Sequence, residues 1–320
     1  MSTILVTGGA GYVGSHSVLE LKERGHDVIV IDDLSAGSHE FVDLADEFHQ
    51  KDIVLASAFD DLRGLRIDCI LHCAGKAIVP ESINDPDLYW RTNLLGTKNI
   101  VDNFPSVPIV YSSTCAVYGV PARLPITIAT KVVPISPYGN SKLAAEYIIE
   151  NSRARSAIFR YFNVAGADPK LRVGEFDKSR SRLVPNLLRA AATGEQAVIF
   201  RANQNTPDMT CIREYVHPSD IATAHADAIE YLAAGGTSFK MNLGGAEAST
   251  QEILEKICGA TQKIIYSTLL QPRIGDPAIL CTELAGCENV IGWSRCHGID
   301  SIITTAVDWW AKTQGMQLDI

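Results

Sequence analysis

Short apolar runs alternate with amphipathic stretches through the first half of the chain. Thr3-Ile-Leu-Val-Thr7 is a β-rich run, and Thr7-Gly-Gly-Ala-Gly-Tyr-Val-Gly14 follows at once. A helical pattern then runs from about Val13 to Arg24 and stops at Gly25, a fitting helix terminator. Asp27-Val-Ile-Val-Ile31 predicts a second strand ending in Asp32-Asp33, and Lys51-Asp52-Ile53 closes a third apolar segment. Asp68-Cys-Ile-Leu-His-Cys73 predicts a fourth strand running into Ala74-Gly75. A helix follows from about Pro86 to Asn103 and carries Asn93, and Val107–Ser113 predicts a fifth strand that delivers Ser112-Ser113-Thr114. Strands alternating with helices imply an α/β fold with a right-handed parallel βαβ sheet. After about residue 165 the alternation fades. Ser179–Leu183 and Gln204–Asp208 read as loops flanking Val198–Arg201, and His217-Pro-Ser-Asp220 opens a helix with Ser219 or Asp220 as its cap. Trp309-Trp310 falls on an amphipathic helix, where packing is the simpler role.

Two patterns carry chemistry. In a strand–glycine turn–helix context, Gly8, Gly11 and Gly14 suit a backbone that approaches a pyrophosphate, whose charge the helix N-terminus receives. An acid at the end of the second strand, Asp32, suits both hydroxyls of an adenosine ribose and repels a 2′-phosphate, which favours NAD over NADP. The second pattern is Ser136-Pro-Tyr138-Gly-Asn-Ser-Lys142. Ser136 is a natural N-cap and Pro137 fits the first helical position. Residues four apart share a helix face, so the ammonium of Lys142 is expected near the phenol of Tyr138, where it favours the phenolate. By itself, a Tyr-x-x-x-Lys more often marks a packed ring and a solvated lysine.

Charge and composition narrow the classes. Of 320 residues, 46% are apolar and 20% charged, as in an ordinary soluble enzyme, and the net charge of −9 argues against nonspecific nucleic-acid binding. An anionic ligand would need local arginines and backbone amides, because the global field opposes it. The eight cysteines form no C-x-x-C pair or regular framework, so free thiols in a reducing compartment and no metal centre are expected. The chain opens on a strand without a leader pattern, and no apolar run reaches the ~18 residues that span a bilayer. A cytoplasmic protein with no membrane or nucleic-acid partner is expected.

Taken in order, several motifs resemble the extended short-chain dehydrogenase/reductase superfamily, and within it the UDP-glucose (UDP-galactose) 4-epimerase family. They are Thr7–His16, Ser113-Thr-Cys-Ala-Val-Tyr118-Gly119, Pro137–Lys142, Arg160-Tyr161-Phe162-Asn163-Val-Ala-Gly166-Ala-Asp-Pro169, Ile212–His217 and Pro272-Arg273-Ile-Gly275-Asp276. The resemblance spans nearly the whole chain. It implies a Rossmann-type parallel sheet over residues 1–165 and a smaller C-terminal nucleotide-sugar-binding lobe over residues 166–320, with some segments of the second returning to the first.

The same resemblance implies residue roles. Tyr138 takes the proton of the sugar 4-hydroxyl while the C4 hydride passes to NAD, Thr114 hydrogen-bonds the same oxygen, and Lys142 binds the nicotinamide ribose. The 4-keto sugar then swings over and takes the hydride back on its other face. NAD contacts are expected from Gly8, Gly11, Tyr12, Val13, Gly14, Asp32, Asp33, Asp52, Ile53, Ala74, Gly75, Asn93, Ser112, Tyr138, Lys142 and Tyr161. A UDP-hexose would meet Thr114, Tyr138, Asn163, Leu183, Phe200, Arg213, Arg273, Asp276 and Leu280, the two arginines on the diphosphate. Arg182 and Arg201 are left open, and His217 reads as structural. Two positions depart from the family pattern. Ala77 stands where many members carry a nicotinamide-holding lysine, so NAD is held less tightly or Lys76 substitutes through a local shift. Leu280 replaces a tyrosine that limits sugar size in some bacterial members, which admits UDP-N-acetylglucosamine or UDP-N-acetylgalactosamine as alternative substrates. A 4,6-dehydratase would need an acid pair after Thr114, where Cys115-Ala116 stand; a plain reductase would not need Arg213 and Arg273; a dinucleotide sensor would not need Thr114, Tyr138 and Lys142 together. A homodimer through two helices of the first lobe completes the expectation.

Overall fold

A computed structural model describes residues 1–176, 180–204, 206–273, 276–283 and 287–316. Ser179, Asn205 and Gly275, named above in loops and a motif, lie outside the described residues, as does the side chain of Cys287. In the first half, β1 (Thr3–Thr7), α1 (Tyr12–Glu23), β2 (Asp27–Asp32), β3 (Glu47–Gln50) and β4 (Cys69–His72) are followed by a helical run. That run comprises α2 (Val79–Asn84), α3 (Pro86–Tyr89), a π turn (Trp90–Leu95) and α4 (Gly96–Asn103). β5 (Ile109–Thr114), a 3₁₀ turn (Cys115–Tyr118), α5 (Pro137–Glu150), β6 (Ser156–Tyr161) and β7 (Asn163–Val164) complete it. The second half carries α6 (Leu183–Thr193), β8 (Ala197–Phe200), β9 (Ile212–Val216), α7 (Pro218–Ala233), β10 (Phe239–Leu243), β11 (Ala246–Ser249), α8 (Thr250–Thr261), β12 (Ser267–Leu270), β13 (Ile279–Leu280), α9 (Cys287–Ile291) and α10 (Ile299–Gln314).

Seven strands form one sheet in the order β10-β6-β5-β4-β1-β2-β3, and every pair in it is parallel. Nearly all of β1, β2, β4, β5 and β6 is buried, as both faces of the sheet are covered. α1 and α7 pack one face through Val18, Leu21, Ile221 and Ile229; α4 and α5 pack the other through Ile100, Ala145 and Ile149. The seventh strand, β10, comes from the second half and pairs with β6, so the C-terminal sequence completes the N-terminal sheet. A separate core of α6, α8 and α10 supports two small sheets, β11-β9-β13 with β7 beside β9, and β12-β8.

Three local expectations change. The third strand is Glu47–Gln50, not an apolar run ending at Ile53; as an edge strand with polar ends it lacked an apolar signature, and Ile53 instead packs beyond it against α4. The helix over Pro86–Asn103 is interrupted by the π turn, which carries Asn93. α7 is capped by His217 itself, whose Nδ1 accepts from the Ser219 N–H at 3.2 Å, rather than by Ser219 or Asp220. Asp220 is drawn away from capping because its carboxylate accepts the N–H groups of Cys296 and His297. Trp309 is buried against Phe41 and Phe176, consistent with packing.

Gly8 and Gly14 make the first turn. Gly8 has φ +74°, and a Cβ there would stand 2.5 Å from the Ala74 backbone nitrogen. A Cβ on Gly14 would stand 2.0 Å from the Gly8 carbonyl oxygen, so α1 meets the turn only without a side chain at that position. Gly14→Ala is therefore expected to destabilise the protein by on the order of 2 kcal/mol or more through overpacking against immobile backbone, to be read from denaturant unfolding beside the wild type.

Candidate active site

Helix α5 starts as its sequence dictates. Ser136 Oγ accepts from the Gly139 N–H at 3.1 Å and Pro137 occupies the first position. Gly139 lets that first turn press on the 3₁₀ turn after β5: a Cβ there would stand 2.7 Å from the Ala116 carbonyl oxygen. The approach sets the Tyr138 phenol beside the Thr114 hydroxyl, which accepts from the Ala116 N–H at 3.1 Å. The Tyr138 ring packs edge-on against Tyr89, with centroids 6.1 Å apart.

Lys142 lies on the same helix, but its ammonium is engaged elsewhere. It donates to the Ser112 carbonyl oxygen at 2.5 Å and sits 4.4 Å from the centroid of the Tyr111 ring. Burial lowers its pKa to about 8, partly opposed by Cys73 and Glu146. Burial raises the Tyr138 phenol to about 12; the neighbouring Thr114 hydroxyl and the charge of Arg182 pull the other way. The expectation that Lys142 pulls the phenol down thus does not hold in the ligand-free protein, where desolvation dominates and Arg182 of the second half is the cation that acts on it. Arg182, left open above, pairs with Glu175 and lies 5.9 Å from the Tyr12 ring centroid.

The carboxyl edge of the sheet offers a fitting dinucleotide cradle. No side chain caps α1, and a Cβ on Gly11 would meet only the Gly8 carbonyl oxygen, at 3.2 Å, so its outer side is open to an approaching phosphate. Val13 follows in the first turn of α1, and the Tyr12 hydroxyl donates to the Gly166 carbonyl oxygen at 2.6 Å, tying the turn to the second half. Asp32 is buried, accepting from the N–H groups of Ala10 at 3.0 Å and Leu34 at 2.8 Å; burial raises its pKa. Asp33 is exposed, and Asp52 closes a tight turn by accepting from the Val54 N–H. Asn93 pins two parts of the site: its Oδ1 accepts from the Lys76 N–H at 2.8 Å and its Nδ2 donates to Ser141 Oγ at 2.9 Å. Ala74 and Gly75 lie between, a Gly75 Cβ falling 2.8 Å from Asn93 Oδ1. The Tyr161 hydroxyl is bonded to His225 inside the core. Lys76 donates to Ser35 Oγ at 3.1 Å and its charge acts on Asp32. It therefore lies toward Asp32.

The second half carries the arginines and the other residues expected from the sequence to meet a nucleotide sugar. Arg213 on β9 donates through Nη2 to Asp276 Oδ1 at 2.6 Å, and the Asp276 N–H donates to the Arg273 carbonyl oxygen at 3.3 Å. The Arg273 guanidinium lies 3.8 Å from the Phe200 ring centroid. Asn163 pairs with Tyr215 across β7 and β9, Leu183 opens α6, and Arg201 is exposed. Leu280 is buried with Cys115, Tyr118 and Phe162 in a cluster that backs onto Thr114. Among the described residues no group of three His, Cys, Asp or Glu side chains could hold a metal, and no helix is long and apolar enough to cross a membrane. Sequence reasoning passed over Glu146 and Arg160, although Glu146 falls one helical turn beyond Lys142.

Residues 4–244 match the family model described as NAD dependent epimerase/dehydratase family. The chain is 38% identical to a UDP-glucose 4-epimerase of Azospirillum brasilense over 96% of this chain and 91% of that one. Its structure superposes on the UDP-glucose 4-epimerase of Brucella ovis in complex with NAD, with TM-score 0.92, 33% identity and coverage of 96% and 98% of the two chains. It also superposes on that of Bifidobacterium longum in complex with NAD+ and UDP, with TM-score 0.90, 27% identity and coverage of 99% and 100%.

The buried Lys142 makes a stability prediction. Its folded-state pKa of about 8 lies below the ordinary 10.5, so the unfolded chain holds more protons between these values. The burial penalty is complete below about pH 8 and fades toward 10.5. Lys142→Met is expected to raise the melting temperature of the ligand-free protein at pH 7, with the gain shrinking between pH 8 and 10.5 in scanning calorimetry.

Proposed function

The chain belongs to the NAD dependent epimerase/dehydratase family, and from that premise we propose that it interconverts UDP-glucose and UDP-galactose at C4 with NAD as cofactor. The observation that carries this reading is the buried Tyr138 phenol beside Thr114 at the carboxyl edge of the sheet, with Lys142 one turn further along the same helix. Bound NAD supplies the acceptor and donor for the C4 hydride and a positive ring charge. The residues of the chain do the rest. Asp32, Gly11 and the uncapped start of α1 suit the adenosine ribose and pyrophosphate. Tyr138, neutral near pH 7 in the ligand-free protein, takes the 4-hydroxyl proton once added positive charge favours its phenolate, and Thr114 steadies the same oxygen. Arg213 and Arg273 receive the diphosphate, and Phe200 and Asp276 the uridine; the existing Arg213–Asp276 pair would open or share its donors as the diphosphate arrives.

We further infer a division at about residue 165, a cytoplasmic location and a homodimer. The seven cysteines whose side chains are described are all free, which suits a reducing compartment. Ile83 on α2, Trp90 and Leu95 on the π turn and Tyr147 on α5 are exposed apolar side chains of the first half, and they support pairing through these helices. Tyr147→Glu is expected to shift the sedimentation of the protein from dimer to monomer, and a wild-type monomer at micromolar concentration would reject the pairing.

Conversion of UDP-galactose, followed by a coupled UDP-glucose dehydrogenase, tests the activity. Tyr138→Phe is expected to lower kcat by roughly 10²–10⁴-fold, and activity without added NAD is expected to be lower than with it, because no lysine stands at position 77. Wild-type protein that converts only the N-acetylated pair would move the substrate assignment to those sugars, through the smaller Leu280 side chain.

A further inference from the structure

Beneath the Tyr138 helix, a charged pair occupies a place where apolar packing would serve. Glu146 is fully buried on the inner face of α5, one turn beyond Lys142. Its Oε1 accepts from Ser113 Oγ at 2.5 Å and from Arg160 Nε at 2.9 Å, and its Oε2 accepts from Arg160 Nη2 at 2.6 Å. Lys240 on β10 stands 3.3 Å from Oε2. Burial pushes the Glu146 carboxyl up, but Arg160, Ser113 and Lys240 outweigh it and hold the group below its ordinary value. Arg160, 3% exposed, also donates through Nη1 to the Tyr118 hydroxyl at 2.9 Å. Tyr118 donates to Asn242 Oδ1 at 2.7 Å, Asn242 Nδ2 donates to Thr282 Oγ1 at 2.9 Å, and the Thr282 N–H donates to Glu214, the neighbour of Arg213.

Taking two charges out of water costs more than their attraction commonly returns, and apolar residues of the same volume often replace such pairs without loss of stability. Stability is thus a weak reason for this pair. Its anchor points are more informative. Ser113 directly precedes Thr114 and is registered opposite Arg160 on β6. Thr282 lies two residues beyond Leu280. An apolar seam would bury the same helix yet tolerate sliding, whereas a two-pronged guanidinium–carboxylate contact has one distance and one orientation.

We propose that Glu146 and Arg160 are positioning residues of the reaction. With Ser113 they set the spacing between the strand end that carries Thr114 and the helix face that carries Tyr138 and Lys142. The Tyr118–Asn242–Thr282 arm ties that spacing to the strand that carries Leu280. The inference rests on the roles proposed above for Thr114, Tyr138 and Lys142; the pair itself touches none of the reacting groups.

The test is UDP-galactose conversion by the NAD-loaded protein across pH, with thermal unfolding measured alongside. An inactive wild type would count against the proposed function; an active one leaves only the positioning role on trial. The variants are the double substitution Glu146→Leu/Arg160→Met, which keeps apolar volume, and Ser113→Ala, which removes one hydroxyl. The double variant is expected to unfold near the wild-type temperature yet lose kcat about tenfold or more with KM within about threefold, as a small misplacement of reacting groups does. The rising limb of kcat against pH is expected to move upward as the spacing between Tyr138 and Thr114 is lost, and Ser113→Ala to move it the same way by less. Wild-type kcat and an unmoved limb in both variants would overturn the proposal, as would activity falling only in proportion to the folded fraction. If the double variant does not fold, Ser113→Ala decides by the same two readouts.

Discussion

The close approach of α5 to the turn after β5 is the contact on which the rest of the site depends. With a side chain at position 139, the helix would have to retreat from the Ala116 carbonyl, and Tyr138 would leave Thr114. Lys142 reaches Ser112 because the helix lies this close to the strand, and Glu146 reaches Ser113 for the same reason. The glycine between the tyrosine and the lysine is therefore as much a part of the site as either functional side chain.

Burial sets the electrostatics against the chemistry in the ligand-free state. It drives the Tyr138 phenol up to about 12 and the Lys142 ammonium down to about 8, each toward its neutral form. A site of this kind is a local cost to stability that the large sheet core absorbs. Arg213 is bonded to Asp276 and Arg273 lies over the face of Phe200, so these two positive charges of an acidic protein are local and directed.

The two halves of the sequence are not two independent bodies. β10 closes the sheet of the first half, Tyr12 on the glycine turn is bonded to Gly166, and Arg182 acts on Tyr138. The chain crosses back and forth between the halves, so residues far apart in sequence share one set of contacts.

Signals carried by neighbours in sequence were legible from the residues alone. The strand–glycine–helix unit, the Ser136 cap with Pro137 and the four-residue spacing of Tyr138 and Lys142 depend on local backbone geometry, which near neighbours dictate. The third strand was misplaced because Glu47–Gln50 is a polar edge, stabilised by pairing with β2 rather than by an apolar pattern of its own. The His217 cap, the direction of the Lys142 ammonium and the position of Lys76 depend on partners such as Cys296, Ser112 and Ser35, which the sheet register and crossover connections bring near. The sequence by itself determined which residues could do the chemistry and on which elements they sit. Only the tertiary structure decided where their charges point, because that choice is made by desolvation and by hydrogen bonds between residues far apart in the chain.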